Sequence, residues 1–249
     1  MRNIVQLFVV GFVSLWVVGA PGAEDSKVKD TIAARFAEVV PDLRVNDVRP
    51  APIPGWYEVL LGAKLVYVTE DARYVFDGTL MDLKEQKNLS SKPAMEARAT
   101  ALKAMSDGQK VIEFAPAGVT EYVVYVFTDT DCTYCRKLHS EVPKLNGAGI
   151  AVRYLAFPRA GIGSRTYQQM VSVWCAADPK QALTDAKAGK DLPAAACDNP
   201  VKEEWELGNS MNVHGTPTTL LDSGEEVGGY IPAEELIKFL KAGAARNPS

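Results

Sequence analysis

Positive charge is in deficit along this chain: 27 Lys and Arg stand against 31 Asp and Glu, a net charge of −4 over 249 residues. No stretch is densely basic, which excludes a nucleic-acid-binding surface, since that requires a concentrated basic footprint. Beyond the first residues the chain also lacks any apolar run approaching the ~20 residues that cross a bilayer comfortably. Internal repeats are absent. Cysteine is scarce, with four in all: Cys132, Cys135, Cys175 and Cys197. A zinc ribbon would need two close pairs, whereas Cys175 and Cys197 lie 22 positions apart, so neither a metal nor another cofactor is expected.

What is there begins with Arg2 and an apolar run over residues 4–18, broken only by Gln6, Gly11 and Ser14. Small residues follow in Ala20-Pro21-Gly22-Ala23. Residues 1–23 therefore read as a secretory signal peptide, cut near Ala23 or Glu24. The alternative is an uncleaved anchor, for which residues 4–20 are slightly short. Export would place all four cysteines in an oxidising compartment, where an even count allows every thiol to pair.

Val28, Ile32, Phe36, Val39 and Val40 recur at helical spacing. This predicts an amphipathic helix over 25–40, capped by Asp25 or Ser26 and stopped by Pro41. Extended stretches follow at 44–51, 56–61, 64–69 and 73–76, the last two joined by a hairpin turn at Glu70-Asp71-Ala72. A unit of fewer than ~60 residues buries only a modest core. It calls for a second surface, either another copy through exposed strand edges or the remainder of this chain. Residues 92–108 are alanine-rich with no proline after Pro93, a helix-forming composition suited to a semi-rigid spacer.

Residues 121–127 are almost continuously apolar, as a strand covered on both faces would be. A helix carrying Cys132, Cys135, Leu138 and Val142 follows, then a strand over 151–157, so strand, helix and strand form a βαβ unit with parallel pairing. Helices are expected over 167–177, 180–188 and 201–210, and strands over 218–222 and 226–230 around Ser223-Gly224. A closing amphipathic helix over 232–242 turns Leu236, Ile237, Phe239 and Leu240 inward.

The chemistry concentrates in Cys132-Thr133-Tyr134-Cys135. A C-x-x-C pair at a strand-to-helix junction sets its first sulfur among the free amides of a helix N-terminus, which favours the thiolate. The second sulfur falls one turn on, shielded and within disulfide reach. Arg136 would assist ionisation of Cys132, whereas Asp129 and Asp131 would oppose it. The alternatives are a static disulfide between the same two residues and a shared metal site. Cys175 and Cys197 lie in alanine-rich surroundings without an adjacent base. A structural disulfide closing such a loop would contribute about 3 kcal/mol. His214-Gly215-Thr216-Pro217 precedes a strand, where a cis proline beside the dithiol would offer backbone to an extended substrate. His139 is read as a helix-surface residue before a proton-transfer aid, and Tyr134 equally as a substrate contact or a packing residue.

Phe127-Thr128-Asp129 leads to Cys132-Thr133-Tyr134-Cys135-Arg136-Lys137-Leu138-His139. Then come Val152-Arg153-Tyr154-Leu155-Ala156-Phe157-Pro158-Arg159, Trp174-Cys175-Ala176, Cys197-Asp198, Gly215-Thr216-Pro217 and Gly229-Tyr230. In this order these motifs resemble the bacterial periplasmic disulfide isomerase family of DsbC, with DsbG as a relative. The resemblance spans nearly the whole chain after the leader and is weakest over 24–80. It implies an α+β two-domain chain: a small N-terminal dimerisation sheet with a helix over 24–82, a helical linker over 83–110, and a thioredoxin-like α/β domain with a helical insertion over 111–249. It further implies a V-shaped homodimer whose thioredoxin-like domains face each other across an apolar cleft. Carried over, Cys132 is the nucleophile, Cys135 the resolving thiol, Cys175 with Cys197 the structural bridge, and Thr216-Pro217 the cis-proline loop that binds substrate alongside Tyr134. Thr133 departs from the glycine of the familiar form, which touches redox poise and not the reaction.

The expected function is a periplasmic disulfide isomerase acting on misfolded exported proteins, kept reduced by a membrane thiol reductase of the DsbD type, with chaperone activity beside it. A DsbG-like reductase of sulfenylated cysteines, a non-catalytic holdase and a monomeric oxidase are the alternatives.

Overall fold

The computed structural model describes residues 21–41 and 45–246. The apolar run of the expected leader lies outside them. Helix α1, Pro21–Val39, starts upstream of the expected Asp25 or Ser26 cap, because proline is tolerated in a first helical turn and nothing between it and Asp25 interrupts the helix. Val28 and Ile32 are buried and Phe36 packs beside them, but Val39 and Val40 are exposed, so the apolar stripe is shorter than its spacing suggested.

Four strands receive that helix: β1 Val45–Pro50, β2 Trp56–Leu61, β3 Lys64–Thr69 and β4 Val75–Phe76, an antiparallel meander in chain order. Their inward positions Val48, Val59, Leu61, Val66 and Val68 close over Val28 and Ile32. A small ribbon, β5 Met81–Asp82 with β6 Lys87–Asn88, was not foreseen; two-residue strands leave no periodic signal.

Helix α2, Ser91–Asp107, forms where alanine content predicted it. It is not a free spacer. Leu102 and Met105 are buried in one cluster with Tyr125, Phe127, Leu155, Leu220 and, from the β2–β3 turn, Ala63. Ser106 Oγ and Tyr125 Oη share a hydrogen bond of 3.0 Å. Gly224 lies so close beneath α2 that a Cβ there would stand 2.0 Å from the Met95 carbonyl oxygen and 2.8 Å from the Ala99 nitrogen, and its φ of +78° is one glycine alone adopts easily.

The second sheet comprises β7 Ile112–Phe114, β8 Tyr122–Thr128, β9 Ile150–Ala156, β10 Thr218–Leu221 and β11 Glu226–Gly228, in spatial order β11-β10-β8-β9-β7. Only β8 and β9 are parallel, and the crossover between them carries α3, Thr133–Ser140, and α4, Val142–Gly147. A single helix was expected there; Pro143 lacks the amide needed to continue the ladder, so a second helix starts at Val142. Three further helices, α5 Arg165–Trp174, α6 Pro179–Lys187 and α7 Val201–Ser210, form the helical insertion, and α8, Ala233–Arg246, closes the chain. Alternating residues of β8 face opposite layers: Val124 and Val126 pack with Leu138, Leu145, Leu236 and Leu240, while Tyr125 and Phe127 meet α2. Phe239 remains exposed, against its expected inward position, while Leu236 and Leu240 on the neighbouring rows are buried.

Candidate active site

Strand β8 ends at Thr128, and the next two residues, Asp129 and Thr130, are buried although polar. Asp129 accounts for the shape of this turn. One carboxylate oxygen accepts the Asp131 amide at 2.8 Å; the other accepts the Arg159 amide at 2.9 Å and its Nε at 3.2 Å. Arg159 then reaches the Asp131 carbonyl with Nη2 at 2.6 Å. The loop entering α3 is thus clamped from the segment after β9.

Cys132 is the N-cap of α3, with extended backbone at φ −122° and ψ 116°, and its sulfur accepts the Cys135 amide at 3.2 Å. A capping sulfur receives the free amides of the first turn and the positive end of the helix dipole. Opposite it, the Thr216–Pro217 peptide is cis, and the Thr216 carbonyl accepts the Cys132 thiol at 3.2 Å. Among the described residues the buried Thr216 hydroxyl has no hydrogen-bond partner. Both Cys132 and Cys135 are free thiols, 3% and 1% exposed.

Their acidities diverge. A hydrogen bond from the Cys135 thiol, then Thr216, the Cys135 amide and the Arg159 charge outweigh burial and pull Cys132 down to about 5. Burial pushes Cys135 up, reinforced by its role as donor to Cys132. The cation near Cys132 is therefore Arg159 and not the expected Arg136, whose guanidinium turns back to the Thr130 carbonyl at 3.2 Å and the Asp131 carboxylate at 3.4 Å. Asp129, expected to oppose the thiolate, is itself paired with Arg159.

His139 is not on the helix surface. Its Nδ1 and the Tyr154 hydroxyl are 3.0 Å apart, its Nε2 lies 3.1 Å from the Thr184 hydroxyl, and Phe114 packs edge-on at 5.1 Å. Burial, with Lys187 nearby, lowers it to about 4, so it is neutral at neutral pH. Sequence alone does not reveal that α6 and β7 cover this face of α3. Tyr134 is 60% exposed and stacks at 5.8 Å on Tyr230, whose ring carries Lys137 Nζ at 4.7 Å and whose hydroxyl donates to Glu141 at 2.6 Å. Tyr230 and Arg159 were missed as site residues, although the Gly229-Tyr230 pair and Arg159 lay within motifs already noted.

Cys175, at the C-terminus of α5, is joined to Cys197 by a disulfide with S–S 2.06 Å and Cα–Cα 5.6 Å. Among the described residues no group of three or more His, Cys, Asp or Glu could hold a metal ion. Among them, too, no helix is long and apolar enough to cross a membrane.

Two family models match: a disulfide bond isomerase protein N-terminal domain over residues 19–91 and a thioredoxin-like domain over residues 108–244. The thiol:disulfide interchange protein DsbC of Escherichia coli (strain K12) is 33% identical over 222 residues, covering 89% of this chain and 89% of that protein. That of Dickeya dadantii (strain 3937) is 34% identical over 243 residues, covering 97% and 96%. Among solved structures, a disulfide interchange protein from Neisseria gonorrhoeae is 32% identical, with a TM-score of 0.47, and covers 53% of this chain and 95% of that one. With an isomerase N-terminal domain joined to a thioredoxin-like domain that presents a split-acidity dithiol, the chain belongs to the DsbC family of thiol:disulfide interchange proteins and is a disulfide isomerase.

Proposed function

We propose that Cys132 is the nucleophile and Cys135 the resolving thiol of this isomerase. The observation that carries the assignment is the opposite displacement of two neighbouring thiols, one capping a helix and lowered, the other buried and raised. The Cys132 thiolate attacks one sulfur of a wrong substrate disulfide, forming a Cys132–substrate bond as the substrate S–S bond breaks and its other sulfur leaves as thiolate. That thiolate, or another in the substrate, then attacks the mixed disulfide, restoring Cys132 with no net change in oxidation. If no substrate thiol arrives, Cys135 attacks Cys132, releasing a reduced substrate and leaving a Cys132–Cys135 disulfide.

Substrate binding is assigned to Thr216 and Pro217, whose backbone lies across the sulfur, and to the exposed Tyr134, stacked on the half-buried Tyr230 beside it. An extended chain paired with the loop would set its disulfide over α3. The Cys175–Cys197 bridge is structural: it ties together the ends of the segment that holds α6.

The substrates are misfolded exported proteins, met in the periplasm after a signal peptide over residues 1–23 is removed. Domains follow at 24–82 for dimerisation, 83–110 for the linker and 111–249 for catalysis. Two copies pair through the β4 edge, beyond which no strand lies among the described residues and where Val75, Phe76 and the preceding Tyr74 are exposed. A membrane thiol reductase of the DsbD type supplies electrons. Recovery of activity from scrambled ribonuclease tests the assignment: Cys132→Ala should abolish it, and equal recovery with that variant would remove Cys132 from the mechanism.

A further inference from the structure

Helix α7 turns one carboxyl side chain into the interior. Glu204 is 0% exposed, and among the described residues no cation forms an ion pair with it. One of its oxygens accepts the Ala156 amide at 2.7 Å, and the other accepts the Trp174 indole N–H at 3.3 Å. The backbone of β9 explains the shorter bond. Pairing with β7 ends at Tyr154, opposite Ile112, and Phe157 donates its amide across to the Thr128 carbonyl on the β8 side at 2.7 Å. Amides alternate sides along a strand, so that of Ala156 points to the side where β7 has already ended, and Ala156 itself is 0% exposed. A buried amide left without an acceptor is costly, and Glu204 supplies the acceptor. Burial pushes Glu204 well above the usual carboxylate range against the pull of both donors, so an uncharged side chain suits the site.

The residues after that amide lead to the cysteine loop. The same helix seats Phe157: Trp205 stacks on its ring at 6.5 Å, and a Cβ on Gly208 would stand 2.5 Å from it, so the ring lies directly on α7. Two residues later Arg159 gives its amide and Nε to Asp129 at 2.9 and 3.2 Å, and its Nη2 to the Asp131 carbonyl at 2.6 Å, the oxygen of the peptide bond that enters Cys132. We infer that Glu204 is a positioning residue for Cys132: by holding the Ala156 amide it fixes the strand end from which Arg159 reaches the peptide before the sulfur. The inference rests on the assignment of Cys132 as nucleophile.

The influence of Glu204 passes through three backbone residues. A strand end that loses its amide acceptor shifts to find another or admits water, and the bonds from Arg159 to Asp129 and Asp131 lengthen with it. Charge-assisted hydrogen bonds of this kind weaken steeply once stretched or bent. The guanidinium then lies farther from the sulfur, and the loop that presents Cys132 as the N-cap of α3 loses its tie to the segment after β9. A residue that only filled space in the core would lower stability without moving the ionisation of Cys132. One that positions Arg159 moves both, and moves the ionisation only while Arg159 is present.

The test follows the initial rate of iodoacetamide alkylation against pH on the full reduced chain, with mass spectrometry reporting which cysteine is labelled. The wild-type midpoint for Cys132 should lie near 5. Glu204→Met should raise it by up to about one unit, the low end of what a close opposite charge contributes, and by no more than Arg159→Met does. In an Arg159→Met background Glu204→Met should add almost nothing, because the two act in series. Glu204→Gln, whose side-chain carbonyl can still accept the Ala156 amide at the expense of the longer Trp174 bond, should leave the midpoint in place. A wild-type midpoint in folded Glu204→Met overturns the inference, and so does a full further shift in the Arg159→Met background. Labelling of Cys135 in place of Cys132 in the wild type would instead strike the assignment of the nucleophile, and the inference with it. Should Glu204→Met fail to fold, Glu204→Gln decides, read together with the NMR scalar coupling between the Ala156 amide nitrogen and the introduced side-chain carbonyl. Coupling kept with the midpoint in place, or coupling lost with the midpoint raised, supports the inference; either change without the other overturns it.

Discussion

Cys132 draws its acidity from donors that converge on one sulfur, and removing them in turn should raise it in order of their weight. Its pKa lies below the 9.0 of a free thiol, so the thiolate persists through neutral pH and is lost as pH falls through about 5. The reduced fold gains stability from this ionisation in full above 9.0 and loses it progressively down to about 5. The initial rate of alkylation by iodoacetamide, followed by mass spectrometry, should therefore have its midpoint near 5. Cys135→Ala should move that midpoint upward most, because the largest donor goes, and Arg159→Met should move it up by less. The free dithiol with its first sulfur capping a helix was legible from spacing at a strand-to-helix junction. The identity of the helping cation was not: Arg136 is adjacent in sequence but turned away, whereas Arg159 arrives from 28 residues beyond Asp131. His139 was misread for the same reason, since the residues that enclose it belong to β7, β9 and α6.

At the scale of elements, the Cys175–Cys197 bridge and the α2 contact carry distinct expectations. The bridge spans 22 positions and encloses all of α6. Replacing both cysteines by alanine should lower unfolding free energy by about 3 kcal/mol, read by denaturant titration, since the open chain regains loop entropy. Gly224→Ala should cost about 1–3 kcal/mol, because a new methyl meets backbone that cannot rotate aside. Amide exchange in α2 should rise in that variant, while alkylation of Cys132 stays as in wild type. Most strands and helices were legible in apolar periodicity, and β2, β3 and α7 fall on their expected bounds. What escaped was short or tertiary: β5, β6 and β7 have too few residues to show a period, and nothing in the alanine-rich composition of α2 says that Leu102 and Met105 dock on Tyr125 and Phe127.

For the whole molecule, the exposed run of Tyr74 and the two β4 residues Val75 and Phe76 stands out. An open strand edge with apolar side chains favours pairing with a like edge. Val75→Arg should therefore yield a species of monomer mass in sedimentation, retain the alkylation profile of Cys132, and lose most refolding of scrambled ribonuclease. The two-domain plan was legible because its halves differ in kind, a small antiparallel meander before a βαβ unit. Their attachment was not, because it depends on a close approach of two backbones. Gly224 meets α2 at the Met95 carbonyl without a side chain between them, so at that one point the joint cannot yield by degrees, whereas beside it Leu102 and Met105 pack on Tyr125 and Phe127. Were two chains paired at β4, the distance between their Cys132 sulfurs would depend on how each α2 is seated on its own Gly224 turn.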